Sequence, residues 1–167
     1  IYIYIMLSEC IFIVCNHFVV NMGEYIVHIL SHNNRIPCLY KEHRKHHVID
    51  YPPSRFMRGK DELIEPTKKH YIVIGTVYYG IAYFLLPYTY YSIFLFQTSL
   101  YLFIINELHS HYHLKGSPLE KYEWFLKKRR LHHIHHIQTH KNFNLVFFTS
   151  DHMNDSYLES YNRNHSI

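Results

Sequence analysis

The residues best able to do chemistry are histidines, and they fall in four clusters: His28 and His32 in HILSH; His43, His46 and His47 in HRKHH; His109, His111 and His113 in HSHYH; and His132, His133, His135 and His136 in HHIHH. The chain carries 17 histidines against 13 Asp and Glu, and imidazole is both the commonest protein ligand for transition metals and the side chain that titrates near neutrality. Two of the clusters contain HxxHH. At this histidine content a given five-residue window matches that pattern about once in a thousand, so two matches are improbable as accident. On a helix, positions i, i+3 and i+4 share a face with Cβ atoms about 5 to 6 Å apart, so each HxxHH offers imidazoles that reach one metal or bridge towards a second. HxxxH at 28/32 and 109/113 adds two such pairs. The candidate ligands are then His28, His32, His43, His46, His47, His109, His113, His132, His135 and His136. They are too many for one four-coordinate zinc and suit two metals with about five nitrogens each.

His111 and His133 sit off the helical face of their neighbours and are expected around the metals or on the substrate side, not as ligands. Glu42, Glu107 and Asp151 lie within reach of the clusters and could orient imidazole N–H groups, or be solvated acids. His17, His70, His140, His152 and His165 have no ligand spacing among themselves and read as structural or solvent-facing.

The elements that must position these clusters are apolar. Residues 1–23 hold one carboxylate, Glu9, and no Lys or Arg, long enough for one spanning helix of about 20 residues. From Tyr71 to Asn106 there is no Asp, Glu, Lys, Arg or His. As one helix that run would extend roughly 50 Å, well beyond a hydrocarbon core of about 30 Å. Pro87 near its middle, followed by Tyr88, Thr89, Tyr90 and Tyr91, marks a reversal, so a two-pass hairpin with spans about 71–86 and 88–106 is expected. A hairpin returns its ends to one side, which gathers both histidine-bearing segments on one membrane face. The flanking Lys and Arg make that face cytosolic by the positive-inside tendency. The expected fold is all-α: a single membrane domain over residues 1–167, with a cytosolic histidine-rich cap over the transmembrane helices. Ser117 and Pro118 look like the start of a helix through HHIHH. Lys127, Lys128, Arg129 and Arg130 read as a solvated, phosphate-facing surface.

Composition excludes other classes. A net charge of +4 in scattered clusters argues against nucleic acid. Three cysteines without CxxC spacing give no disulfide framework. Neither a GxGxxG fingerprint nor a CxxCH haem attachment is present, so electrons for any redox chemistry must arrive from outside.

The order HILSH, HRKHH, uncharged hairpin, HSHYH, HHIHH and then THKNFNLVFFTSD, over roughly Glu24 to Asp151, resembles the fatty acid hydroxylase/sterol desaturase superfamily. The last box with Asn142-Phe143-Asn144 is its most specific part. The resemblance implies an integral membrane oxidoreductase, in the endoplasmic reticulum of a eukaryote or the inner membrane of a bacterium, whose ten histidines named above hold two non-haem irons. Zinc could stand in for iron, O2 would be co-substrate, and Asn144 would join Glu107, Asp151, His111 and His133 around the ligands. The partners implied are a lipid substrate (fatty acyl chain or sterol) and an electron donor such as cytochrome b5 or ferredoxin with its reductase. Members usually carry more apolar segments before the first box, and this sequence opens at Ile1, which suggests a truncated or minimal version. The third box offers three histidines where the pattern needs two. Hydroxylation and desaturation stay open, and the competing readings are a histidine-rich membrane metal-binding or transport protein and a zinc-stabilised adaptor.

Overall fold

The computed structural model describes residues 2–64 and 69–160, with side chains over 6–64 and 72–160. Among the described residues the chain is all helical, without a strand. The side chain of His70 and the whole of His165 lie outside them.

Helix α1 runs over Tyr2–Ser31, 30 residues, so it does not stop at residue 23 but continues past His28, with His32 in the turn that follows. Gly23 is no break, because one glycine in a helix costs only about 1 kcal/mol against alanine. The chain then turns sharply: the Asn33 side-chain oxygen accepts the Arg35 N–H (2.9 Å), and Pro37 opens α2 (Pro37–Lys45), a position where its missing N–H costs nothing. HRKHH does not lie on one regular helix as expected. After Lys45 the pitch widens into a π-helical turn over His46–Asp50, closed by the Tyr51 N–H to the His46 carbonyl (2.8 Å).

The uncharged run folds into two successive helices, α3 (Lys69–Leu85) and α4 (Tyr88–His113), broken at Leu86 and Pro87. Helix α4 does not end at Asn106: the exposed Glu107 leaves it unbroken, and the third histidine cluster rides on its last turns. Two helices, over Met6–Ser31 and Tyr88–His113, are long and apolar enough to cross a membrane, and Ile72–Leu85 is apolar but shorter. Their outer faces are apolar: Phe84 is 84% exposed and Phe96 70%. The α1–α4 seam is polar by contrast. Asn16 donates to Gln97 (2.9 Å), Gln97 to the Ile13 carbonyl (3.0 Å) and Tyr90 to Ser8 (2.9 Å). Such pairs between helices in an apolar medium contribute about 0.6 to 2 kcal/mol each.

Beyond α4, Gly116 takes the left-handed backbone (φ 75) that reverses the chain. Ser117 and Glu120 then form a capping box, but over a 3-10 turn, Pro118–Lys121, and not over the long helix. Helix α5 begins only at Glu123, after the extended Tyr122, and ends at Ile137. A short α6 covers Thr149–Met153. Val20, Phe56, Tyr101, Tyr112, Phe125, Leu145 and Val146 form the buried core where α1, α4 and α5 meet.

The basic run on α5 is the solvated face expected from sequence only at Lys127 and Arg130, which are exposed, and not at Lys128 and Arg129. Lys127 pairs with Glu159 (2.7 Å), and Lys128 turns inward to donate to the Val146 carbonyl. Arg129, 11% exposed, bonds Glu120 (2.8 Å) and the carbonyls of His111 (3.2 Å) and Leu114 (3.1 Å) while its guanidinium covers the Phe125 ring. It ties the end of α4 to α5. Arg129→Lys is expected to lose about 2 kcal/mol of stability, because an ammonium cannot hold a carboxylate and two carbonyls in one plane. Thermal unfolding of the detergent-solubilised variant is the check, and a wild-type midpoint would contradict it.

Candidate metal centre

The four clusters converge above the α1 and α4 helix ends into two groups. In the first, His28 from α1, His32 from the turn that follows it, His43 from α2, His47 from the π-helical turn and His135 from α5 bring one ring nitrogen each within 4.8 Å of all the others. In the second, His46, His113, His132 and His136 do the same. His109 stands beside the second group, its Nε2 3.3 Å from that of His113. The groups touch where the His47 and His136 rings stack at 4.1 Å.

Each HxxHH box is divided between the groups, and in opposite senses. His43 and His47 enter the first group and His46 the second; His132 and His136 enter the second and His135 the first. Positions i and i+4 stay together while i+3 points across, so one helical box serves both groups.

Backbone carbonyls fix the ring tautomers. Nδ1 of His28 meets the Phe143 carbonyl and Nδ1 of His135 the Lys141 carbonyl (2.7 Å). Nδ1 of His136 meets the Tyr51 carbonyl (2.8 Å) and Nδ1 of His113 that of Phe56 (2.8 Å). A carbonyl only accepts, so each Nδ1 carries the proton, and in a neutral ring Nε2 is then a bare lone pair. Burial keeps the rings neutral: it pushes His32 down to about 4 and His135 to about 3, and holds His43, His46, His47, His132 and His136 well below the usual imidazole range, with neighbouring imidazoles adding to the effect.

Protons alone cannot satisfy the first group. Its Nε2 atoms are in contact at His28–His43 (3.1 Å), His32–His43 (2.9 Å), His43–His47 (3.0 Å) and His32–His135 (3.1 Å). With His28 and His135 bare at Nε2, His43 must donate to His28 and His32 to His135, which leaves the Nε2–H groups of His43 and His32 facing each other at 2.9 Å with no lone pair between them. A cation accepting all five lone pairs removes the conflict. In the second group Nε2 of His113 and of His132 lie 3.1 Å apart, and Nε2 of His46 and of His136 are buried with no hydrogen-bond partner. Neither group includes a carboxylate. Both therefore fit a borderline transition metal bound by imidazole, such as iron or zinc.

The surrounding residues differ from the sequence reading in how they act. Asp151 touches no imidazole; its carboxylate accepts the N–H groups of Phe143 and Asn144 (both 2.8 Å) and the Ser156 hydroxyl (2.6 Å), and so holds the loop whose carbonyls orient His28 and His135. Burial raises its pKa above the usual carboxylate value. Asn144 donates to the Asn21 carbonyl (3.1 Å) and to Glu24 (2.9 Å). Asn142 takes a left-handed backbone (φ 54), which asparagine tolerates, and bonds Leu131 and Leu158. His111 bonds Ser117 (2.9 Å). His133 reaches the Pro53 carbonyl (3.3 Å) and packs on Phe56, bracing the loop that orients His113. Glu107 is exposed and bonds Asn106 (3.5 Å), and neither it nor Glu42 meets an imidazole among the described residues. His17 packs edge-on against Phe147, His140 is exposed, and His152 stacks on Tyr157. Sequence reasoning missed Glu24, Asn21, Tyr51 and Arg58. Of these Glu24 carried a signal, as an acid four residues, one helical turn, before His28.

Two carboxylate-free imidazole groups able to bind metal, set at the ends of apolar helices of membrane-spanning length, are compatible with a metal-binding membrane protein. Residues 13–156 match the family profile described as fatty acid hydroxylase, and the chain belongs to that family, part of the fatty acid hydroxylase/sterol desaturase superfamily. Membership implies an oxidoreductase that uses metal. No curated protein and no solved structure gives a match.

Proposed function

We infer that this chain is a membrane-bound di-iron oxygenase that hydroxylates or desaturates a lipid, a fatty acyl chain or sterol, with O2 and electrons from an external donor of the cytochrome b5 or ferredoxin kind. The observation that carries the reading is the pair of separate imidazole groups, the first with contacts that protons cannot satisfy and the second with buried ring nitrogens left without a hydrogen-bond partner. Two irons held there would supply the reduction of O2 needed to oxidise an unactivated C–H bond. The ten histidines His28, His32, His43, His46, His47, His109, His113, His132, His135 and His136 are the proposed ligands, His109 being the outlying one. The chain's own contribution is to orient four of the rings, those of His28, His113, His135 and His136, through backbone carbonyls and to exclude carboxylates, which would otherwise compete for the same positions. Apolar faces of α1, α3 and α4 would receive the lipid chain, with the histidine groups on the cytosolic side. A transport role would set ionisable ligands along the spans; here they gather at the helix ends, which favours the oxygenase.

Expression with a reductase and its donor, followed by lipid analysis, is expected to yield a hydroxylated or newly unsaturated lipid that disappears in the His47→Ala protein. An unchanged lipid profile, with protein inserted and two metals bound, would overturn the assignment.

A further inference from the structure

Glu24 belongs to none of the histidine clusters, yet it is tied to one of them. Its Oε1 accepts the Leu145 N–H (2.7 Å), and its Oε2 accepts from Asn144 Nδ2 (2.9 Å) and from the Tyr101 hydroxyl on α4 (2.8 Å). With Asp151 on the N–H groups of Phe143 and Asn144, two carboxylates hold three successive backbone donors of one loop. That loop sends the Lys141 and Phe143 carbonyls to His135 and His28, both in the first group. The second group is oriented from elsewhere, by Tyr51 and Phe56 carbonyls in a loop that Arg58 holds through the Asp50 carbonyl (2.6 Å).

We propose that Glu24 is a positioning residue for the first metal alone, fixing through Asn144 and Leu145 the loop that orients His28 and His135. The carbonyls that orient the two groups thus come from two separate loops, and the polar α1–α4 seam is coupled to one of them: Asn21, one turn before Tyr25, donates to the same Tyr101 hydroxyl (3.0 Å) and accepts from Ser150 (2.8 Å). The proposal rests on the reading that each imidazole group holds one metal.

Zn(II) affinity of the full chain in lipid nanodiscs, read by competition with a chelator, tests it without any need for turnover. His132→Ala weakens the second group and leaves the first to be measured; His135→Ala does the reverse. Glu24→Gln, which keeps one oxygen but loses the charge, is expected to weaken the remaining zinc about 10 to 100-fold in the His132→Ala background. It should leave the zinc in the His135→Ala background unchanged. If Glu24→Gln does not insert, Tyr101→Phe removes one donor from the same carboxylate and should give a smaller shift, again in the first background only. Equal weakening in both backgrounds, or none in either, would overturn the role of Glu24. A parent chain that binds fewer than two zincs would instead overturn the two-group reading beneath it.

Discussion

His135→Ala is expected to reduce lipid-product formation to background and to weaken one metal only, the one held by His28, His32, His43 and His47. The sequence neighbours of His135 are His132 and His136, but the ring itself meets His32 at 3.1 Å and belongs to the first group. Its loss removes a coordinating nitrogen that no adjacent side chain replaces, so the effect should exceed the 10 to 100-fold typical of an outer hydrogen-bond partner. His46→Ala is the mirror case: it should spare the first group and weaken the second, where His46 sits with His113, His132 and His136. Metal content and affinity, measured on membrane-inserted protein alongside product formation, separate the two. If His135→Ala weakened the group around His132 and His136, the division of the HxxHH boxes would be wrong.

Asp151→Ala should be the most destabilising substitution away from the histidines. It leaves the N–H groups of Phe143 and Asn144 without their acceptor in a buried setting, while the Ser156 hydroxyl keeps only its longer contacts to the residue 151 carbonyl and the Tyr25 hydroxyl. At about 1 to 3 kcal/mol for each N–H so stranded, the loss is about 2 to 6 kcal/mol. The loop it frees orients His28 and His135, so metal in the first group should be lost along with stability. Asp151→Asn keeps one oxygen and should recover part of both. The midpoint of thermal unfolding in detergent, with metal content of the folded fraction, is the measurement; an Asp151→Ala protein with wild-type values of each would show that the loop is held without the carboxylate.

The candidate ligands were legible because metal binding demands particular atoms at particular spacings. Two HxxHH boxes in a histidine-rich chain are hard to produce by chance, and an uncharged run broken at Pro87 can be accommodated only by turning back. Those features made the four clusters, the break at Pro87 and the helical class readable. Helix ends were less so. Glu107 and Gly23 looked like stops, but a single exposed charge or glycine costs less than the hydrogen bonds of a continuing helix, and α1 and α4 run on into the histidine clusters. Ser117 and Pro118 do start a turn, but the extended backbone at Tyr122 ends it before α5 begins.

The sequence by itself determined the donor atoms, their grouping into boxes and the apolar helices that bring both polar segments to one end. The tertiary structure decided how the boxes are shared. Local periodicity puts His43, His46 and His47 near one another but says nothing of which neighbour each ring meets; that depends on the π-helical turn after Lys45 and on the approach of α5. The same holds for the outer partners. Glu24 and Asp151 lie 127 positions apart, and neither touches an imidazole, yet together they hold the loop that orients two of them. Backbone carbonyls do the orienting, and because every residue has one, no side-chain pattern could have singled out those of Tyr51, Phe56, Lys141 and Phe143.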